Sequence, residues 1–238
     1  MPHCIYQPDT SAQTGEIITV SGPEAHHAIR VKRLEQGDPV HLLSGTGERA
    51  ACVIDAIRKP RGEWEISLRV DHVVREPRLS PQVLVRSGVP KGDALEQMID
   101  GLSQVGAAAW SPLRSARTVV DPRDAKLTRL HRVCEESLKQ CSRAWLMDIR
   151  EGVTLDAALQ SPHSTLVIAD ASGTPYTAAS DEVTLLIGPE GGFAPEELAA
   201  ARAAGARVCT FGFHVMRIEV AAVVATAHII AAHHNRRA

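Results

Sequence analysis

Aromatic side chains are scarce in this chain, with three Phe, three Trp and two Tyr among 238 residues. That scarcity excludes an array of stacked rings as the main way of reading nucleic-acid bases. Long apolar runs are lacking too: the longest, Val220 to Ala232, is broken by Thr226 and His228 and is too short to span a bilayer. No apolar stretch follows the basic start that a secretory signal would need. Cys4, Cys52, Cys134, Cys141 and Cys209 are odd in number and scattered, with no CxxC pair. Reduced thiols and a cytoplasmic location are expected, not a disulfide frame or a zinc site. The eleven histidines show no HExxH or comparable spacing, so no metal is expected either, and His26 and His27 read as a helix start.

What remains is an ordinary globular composition, 44% hydrophobic and 23% charged, with length for one large domain or two modest ones. From Ile17 to about Val74 short Val- and Ile-rich runs predict strands, with turn signals at GTG 45–47 and PRG 60–62. One short helix, HHAIRVKRLEQGD, is expected between the first two runs and should close at Gly37. A small β-barrel over residues 1–75 fits this pattern. GTGERA at 45–50 matches a dinucleotide-binding fingerprint, but the strand pattern RAACVIDAI follows where that motif needs a helix, so a hairpin is preferred.

Residues 76–81 read as a linker, because Pro77 and Pro81 hold the chain extended. Beyond it, over 82–238, strands alternate with helices as in a mostly parallel sheet. A long amphipathic helix is predicted from Asp124 to Arg143, with Leu127, Leu130, Val133, Cys134 and Leu138 near one face. The last helix, Ile218 to about His233, is apolar nearly all round and should be covered on both sides, the outer side by another layer or subunit.

Two segments of this second part carry chemistry. LLIGPEGGFAPEEL, Leu185 to Leu198, breaks from an apolar strand into turn residues and then a helix start, and Gly188, Gly191 and Gly192 leave backbone bare for a ligand to approach. FGFHVMRIEVAAVV repeats the idea from Phe211, with Gly212 leading into the apolar helix. Basic side chains outnumber acidic ones only between residues 81 and 150, where Arg114, Arg117, Arg123, Lys126, Arg129 and Arg132 crowd together. A smaller cluster, Arg30, Lys32 and Arg33, lies near the start. Such clusters can neutralise phosphates, and solvated helix faces are the plainer alternative.

LLIGPEGGF followed by FGFHVMRIEVAA resembles the paired signature of the SPOUT superfamily of RNA methyltransferases, and within it the ribosomal RNA small subunit methyltransferase E family. HHAIRVKRLEQGD, VPKGDALEQMIDGLSQVG, SPLRSARTVV and EESLKQCSR resemble further blocks of that family in the same order. The resemblance implies an α/β protein with a trefoil-knotted C-terminal domain and a smaller PUA-like N-terminal β-barrel. It also implies a homodimer, S-adenosylmethionine as cofactor, and methylation of a uridine N3 in small-subunit (16S) ribosomal RNA. The chain departs from the pattern at Gly101, Gln104, Ala116, Lys139, His214, Ile218 and Val220.

Methyl transfer from a sulfonium needs mainly alignment, and N3 of a neutral uracil must also lose a proton. Under the resemblance, Gly188, Glu190, Gly191, Gly192, Phe211, Gly212, Val215 and Met216 are expected to hold the cofactor. Arg217 and Glu219 are the expected catalytic pair; a structural ion pair between Arg217 and Glu219 or Glu190 is the alternative. Arg30, Lys32, Arg33, Lys91 and Arg117 are the expected RNA contacts. Two rival functions are a methyltransferase of the same fold acting on another ribosomal or transfer RNA nucleotide, and an RNA-binding protein that keeps the fold without catalysis.

Overall fold

The computed structural model describes residues 2–8, 10–120, 127–162 and 165–237. They divide into two compact units, Met1–Arg78 with Glu135–Leu146, and Leu79–Cys134 with Met147–Ala238. The division falls inside a helix that the sequence assigns wholly to the second part.

In the first unit, strands β1 (His3–Tyr6), β2 (Ile17–Ser21), β3 (Pro39–Leu43), β4 (Glu48–Arg58) and β5 (Glu65–Arg75) form one sheet in the order β1-β3-β4-β5-β2. β1 pairs parallel with β3 and the other pairs are antiparallel. GTG 45–47 joins β3 to β4 and PRG 60–62 joins β4 to β5, both as hairpins, so the strand after GTGERA rules out a dinucleotide-binding turn. Among the described residues the sheet is a half-barrel, not the expected barrel: β1 and β2 stand at the two ends of the order, with no ladder between them. Alternate residues of β4 and β5, among them Cys52, Ile54, Ile66 and Leu68, face one core with Val20 and Val40, as the period of two demands.

The short helix of this unit also differs from expectation. Helix α1 (Gly22–His26) runs into a π-helical turn (His27–Val31), and Arg33 at φ 57° breaks it before Gly37 is reached. Gly37, at φ 94°, belongs to the turn into β3.

The second unit contains β6 (Gln82–Ser87), α2 (Ala94–Val105), β7 (Ala109–Arg114), β8 (Asp148–Ile149), β9 (Val153–Thr154), α4 (Leu155–Gln160), β10 (Thr165–Pro175), β11 (Glu182–Ile187), α5 (Pro195–Ala203), β12 (Arg207–Thr210) and α6 (Ile218–Arg237). Helix α3 (Leu127–Cys141) carries the division between the units. Asp124, the expected start of that helix, lies outside the described residues, as do Arg123 and Lys126 of the basic cluster.

Every strand pair in this unit is parallel, and the sheet runs β12-β10-β11-β6-β7-β8, with β9 beside β7. A parallel sheet covered on both faces needs continuous apolar strands, and all of β11 but Glu182 is buried. Trp110 on β7 is fully buried and its indole N–H donates to Ser87 Oγ at 2.9 Å, so the largest core side chain leaves no polar atom orphaned.

α2 ends on Gly106 at φ 98°, the left-handed position that glycine adopts without steric cost. α6 packs against α2, β6 and β11 and runs to Arg237, beyond the expected end near His233. A Cβ on Gly101 of α2 would stand 2.8 Å from Val223 of α6, so this departure from the family pattern lets the two helices approach closely. The outer side of α6 leaves Val220 and Val224 exposed in the single chain.

Candidate functional site

The C-terminal ends of β11, β10 and β12 lie side by side, because β10 sits between the other two in the sheet. In an open parallel sheet the strands deliver their following loops to that edge, which is where ligands bind. The loop after β11 (188–194) and the loop after β12 (211–217) enclose a cavity of about 420 Å³ there. That lies within the range of small-molecule sites.

All eight residues expected to hold a cofactor line this cavity: Gly188, Glu190, Gly191, Gly192, Phe211, Gly212, Val215 and Met216. The first loop turns on Gly192, at φ 66°, whose N–H donates to Pro189 O at 2.8 Å. Bare backbone matters at Gly188, where a Cβ would press on the Phe193 ring at 3.1 Å. Pro195 then opens α5, and the Glu197 carboxylate accepts from the Ala194 N–H at 2.8 Å and from the Ala116 N–H at 2.7 Å. Glu197 therefore ties the helix start to the loop after β7. Phe211 of the second loop stacks on Tyr176 at 5.9 Å and meets His228 in a T-shaped contact at 5.7 Å between centroids.

The sequence did not point to Asp170, Ala171, Cys209 or Ala225, which also line the cavity, as do Phe193 and Ala221 from within the two signature segments. The readable trace of Asp170 was an Asp-x-Ser-Gly turn signal inside an otherwise strand-like run. The Cys209 thiol is pushed up by burial, against a smaller downward pull from Arg207. It stays a neutral thiol near pH 7 and packs as an apolar wall. His214, another departure from the family pattern, lines the cavity between the almost wholly exposed Phe213 and Val215.

Arg217 and Glu219 flank Ile218 at the start of α6 and do not themselves line the cavity. Among the described residues no ion pair joins Arg217 to Glu219 or Glu190, so the structural-pair alternative is not realised. Arg217 is exposed and Glu219 partly buried.

The expected RNA contacts are spread over both units. Arg30, Lys32 and Arg33 are exposed in the first unit, where Lys32 lines an open pocket with His3 and Lys139. Lys139 is tied to Glu24 at 2.7 Å and Glu136 at 2.9 Å. In the second unit Lys91 is exposed before α2, and Arg117 donates to Gly191 O at 2.7 Å, against the first loop. Arg129, from the basic cluster, pairs with Glu96 of α2 at 2.6 Å.

Residues 77–230 match the RNA methyltransferase domain family. The chain is 31% identical to ribosomal RNA small subunit methyltransferase E of Mycobacterium bovis, over 93% of this chain and 88% of that protein. It is 27% identical to the Bacillus subtilis protein of the same name, over 89% and 88%. A Legionella pneumophila protein described as a methyltransferase, solved in complex with SAM, superposes with a TM-score of 0.84 at 26% identity, covering 98% of both chains.

Proposed function

The chain belongs to the ribosomal RNA small subunit methyltransferase E family, and from that premise we propose that it methylates N3 of a uridine in 16S ribosomal RNA with S-adenosylmethionine as methyl donor. The observation that carries the reading is the cavity framed by two glycine-bearing loops at the carboxyl ends of neighbouring parallel strands. Its residues fit the donor. A folded nucleoside can lie against the main chain of the two loops, with apolar contact from Phe211, Val215 and Met216.

When bound, S-adenosylmethionine supplies an electrophilic methyl group on a cationic sulfur. The chain's own residues bind and orient. The loop backbone at 188–192 and 211–216 would hold the nucleoside, and the apolar wall of Ile187, Phe193 and Cys209 would exclude water. Arg217 is assigned to the negative charge that develops on the uracil ring as N3 loses its proton, and Glu219 is the carboxylate of that segment assigned to the proton. The position of both between cavity-lining residues, Met216 before them and Ala221 after, supports these roles.

Several finer assignments accompany this reading. The unit around the β1–β5 sheet serves as a PUA-like RNA-binding domain, with phosphate contacts from Arg30, Lys32 and Arg33, while Lys91 and Arg117 contact RNA from the second unit. The second unit is a trefoil-knotted SPOUT domain, supported by the return of α6 from edge strand β12 to β6 and β11. The protein is a homodimer, supported by the exposed Val220 and Val224 on α6 and Phe213 and Val215 in the second loop. A cytoplasmic location is assigned on five cysteines that form no disulfide among the described residues.

The test is direct. Calorimetry should show stoichiometric binding of S-adenosylmethionine, and small-subunit RNA from cells lacking the protein should lose one N3-methyluridine that the purified enzyme restores. A folded protein that binds no donor, or RNA that stays fully modified without it, removes the proposal.

A further inference from the structure

We propose that Asp170 makes this cavity favour the positively charged methyl donor over its uncharged demethylated product, an inference that rests on the methyltransferase reading above. The starting observation is an interruption of β10. Ala169 and Thr174 both pair with Cys209 of β12, so residues 170–173 loop out of the ladder at the carboxyl end of the strand. The excursion puts Asp170 and Ala171 into the cavity wall, between the two glycine loops.

The excursion is built to hold one carboxylate still. Asp170 Oδ1 accepts from the Ser172 N–H at 2.9 Å and from the Ser172 hydroxyl at 2.6 Å. Gly173 closes it against β12, where a Cβ would lie 2.6 Å from the backbone of Cys209. Oδ2 has no hydrogen-bond or ion-pair partner among the described residues.

Charge chemistry then decides the ligand preference. Among the described residues, Asp170 and Glu190 are the acidic side chains of the cavity lining, and no Lys or Arg lines it. S-adenosylmethionine carries a sulfonium cation, and transfer of its methyl leaves a neutral thioether. Adenosine, ribose and the amino-acid end are the same in both molecules, so a preference created by a carboxylate acts on the sulfur's charge. Glu190 is exposed on the first loop, where water screens it, whereas Asp170 is partly buried and clamped. A fixed, partly desolvated charge acts more strongly than a mobile solvated one, so Asp170 carries the discrimination and aids product release.

Asp170→Asn tests this, because the amide oxygen keeps both bonds to Ser172 while the charge is lost. Affinities of S-adenosylmethionine and S-adenosylhomocysteine are measured by calorimetry on the full-length wild type, on Asp170→Asn and on Glu190→Gln, with far-ultraviolet dichroism and thermal melting to confirm folding. The expected result is that Asp170→Asn narrows the donor-to-product affinity ratio by about tenfold, mainly through weaker donor binding, the order expected for removing a nearby, partly screened charge. Glu190→Gln narrows the ratio less. An unchanged ratio, an equal loss for both ligands, or a larger effect of Glu190→Gln overturns the proposal and leaves the methyltransferase reading standing. If the folded wild type binds neither ligand, both fall.

Discussion

The Arg117 guanidinium donates from Nη1 to the carbonyl oxygen of Gly191 at 2.7 Å, so the loop after β7 braces the loop after β11 from outside the cavity. Its stem fills the space beside Gly191, with Cδ 3.3 Å from where a Cβ would be. The contact couples a residue expected to meet RNA to the main chain expected to meet the cofactor. Arg117→Ala should loosen the loop and weaken S-adenosylmethionine binding by about tenfold, the scale of one lost charge-assisted hydrogen bond. Arg117→Lys should recover only part of it, since an ammonium lacks the planar fork. Calorimetry decides, and an unchanged affinity in the alanine variant would leave Arg117 with an RNA role alone.

Gly173→Ala should destabilise the fold. The added Cβ would meet the backbone N and C of Cys209 at 2.6 Å, and neither can swing aside as a side chain could. A cost of about 1–3 kcal/mol is expected for such overpacking. Thermal unfolding measures it, and a melting temperature equal to wild type would show that the β10 excursion is soft.

Arg217→Ala should lower turnover on the order of a hundredfold while leaving cofactor affinity within about twofold, as for an interaction made with charge that develops only during reaction. Arg217 is exposed and is not among the residues lining the cavity, so its truncation leaves the cavity wall intact. Single-turnover rates and binding constants on the same preparation separate the two effects. A large loss of affinity would assign Arg217 to the cofactor instead.

Lys139 supplies a pH-dependent test in the first unit. Burial pulls its pKa down, but hydrogen bonds and charge from Glu24 and Glu136 outweigh that and raise it above the ordinary 10.5. The pair's stabilisation is therefore fully present below the unfolded lysine's pKa and is lost only as pH climbs through the raised folded value. Lys139→Met should cost about 1–3 kcal/mol near neutral pH. That deficit should stay level up to about pH 10 and shrink above it. Denaturant midpoints across the range check this, and a deficit that already closes near pH 8 would refute the raised pKa.

Local chemistry wrote much of this protein legibly. Gly188, Gly191, Gly192 and Gly212 announced two bare loops, the period of β4 and β5 announced a one-sided sheet, and the apolar run of β11 announced a doubly covered parallel strand. Each signal depends on a few consecutive residues, so it survives in one dimension. The early stop of the first helix was harder to read, because Arg33 takes the left-handed conformation that Gly37 was expected to supply.

The sequence by itself determined the strand–helix alternation, the two glycine loops and the family's motifs, all set by backbone preference and side-chain polarity over short spans. Tertiary structure alone decided that β10 lies between β11 and β12, that residues 135–146 group with the first unit, and that the β1–β5 sheet stays open. It alone brought Asp170 to the loops at 188–192 and 211–216. The physical reason is that strand order and long-range register come from burying whole faces together, a many-body outcome that no local run of residues encodes.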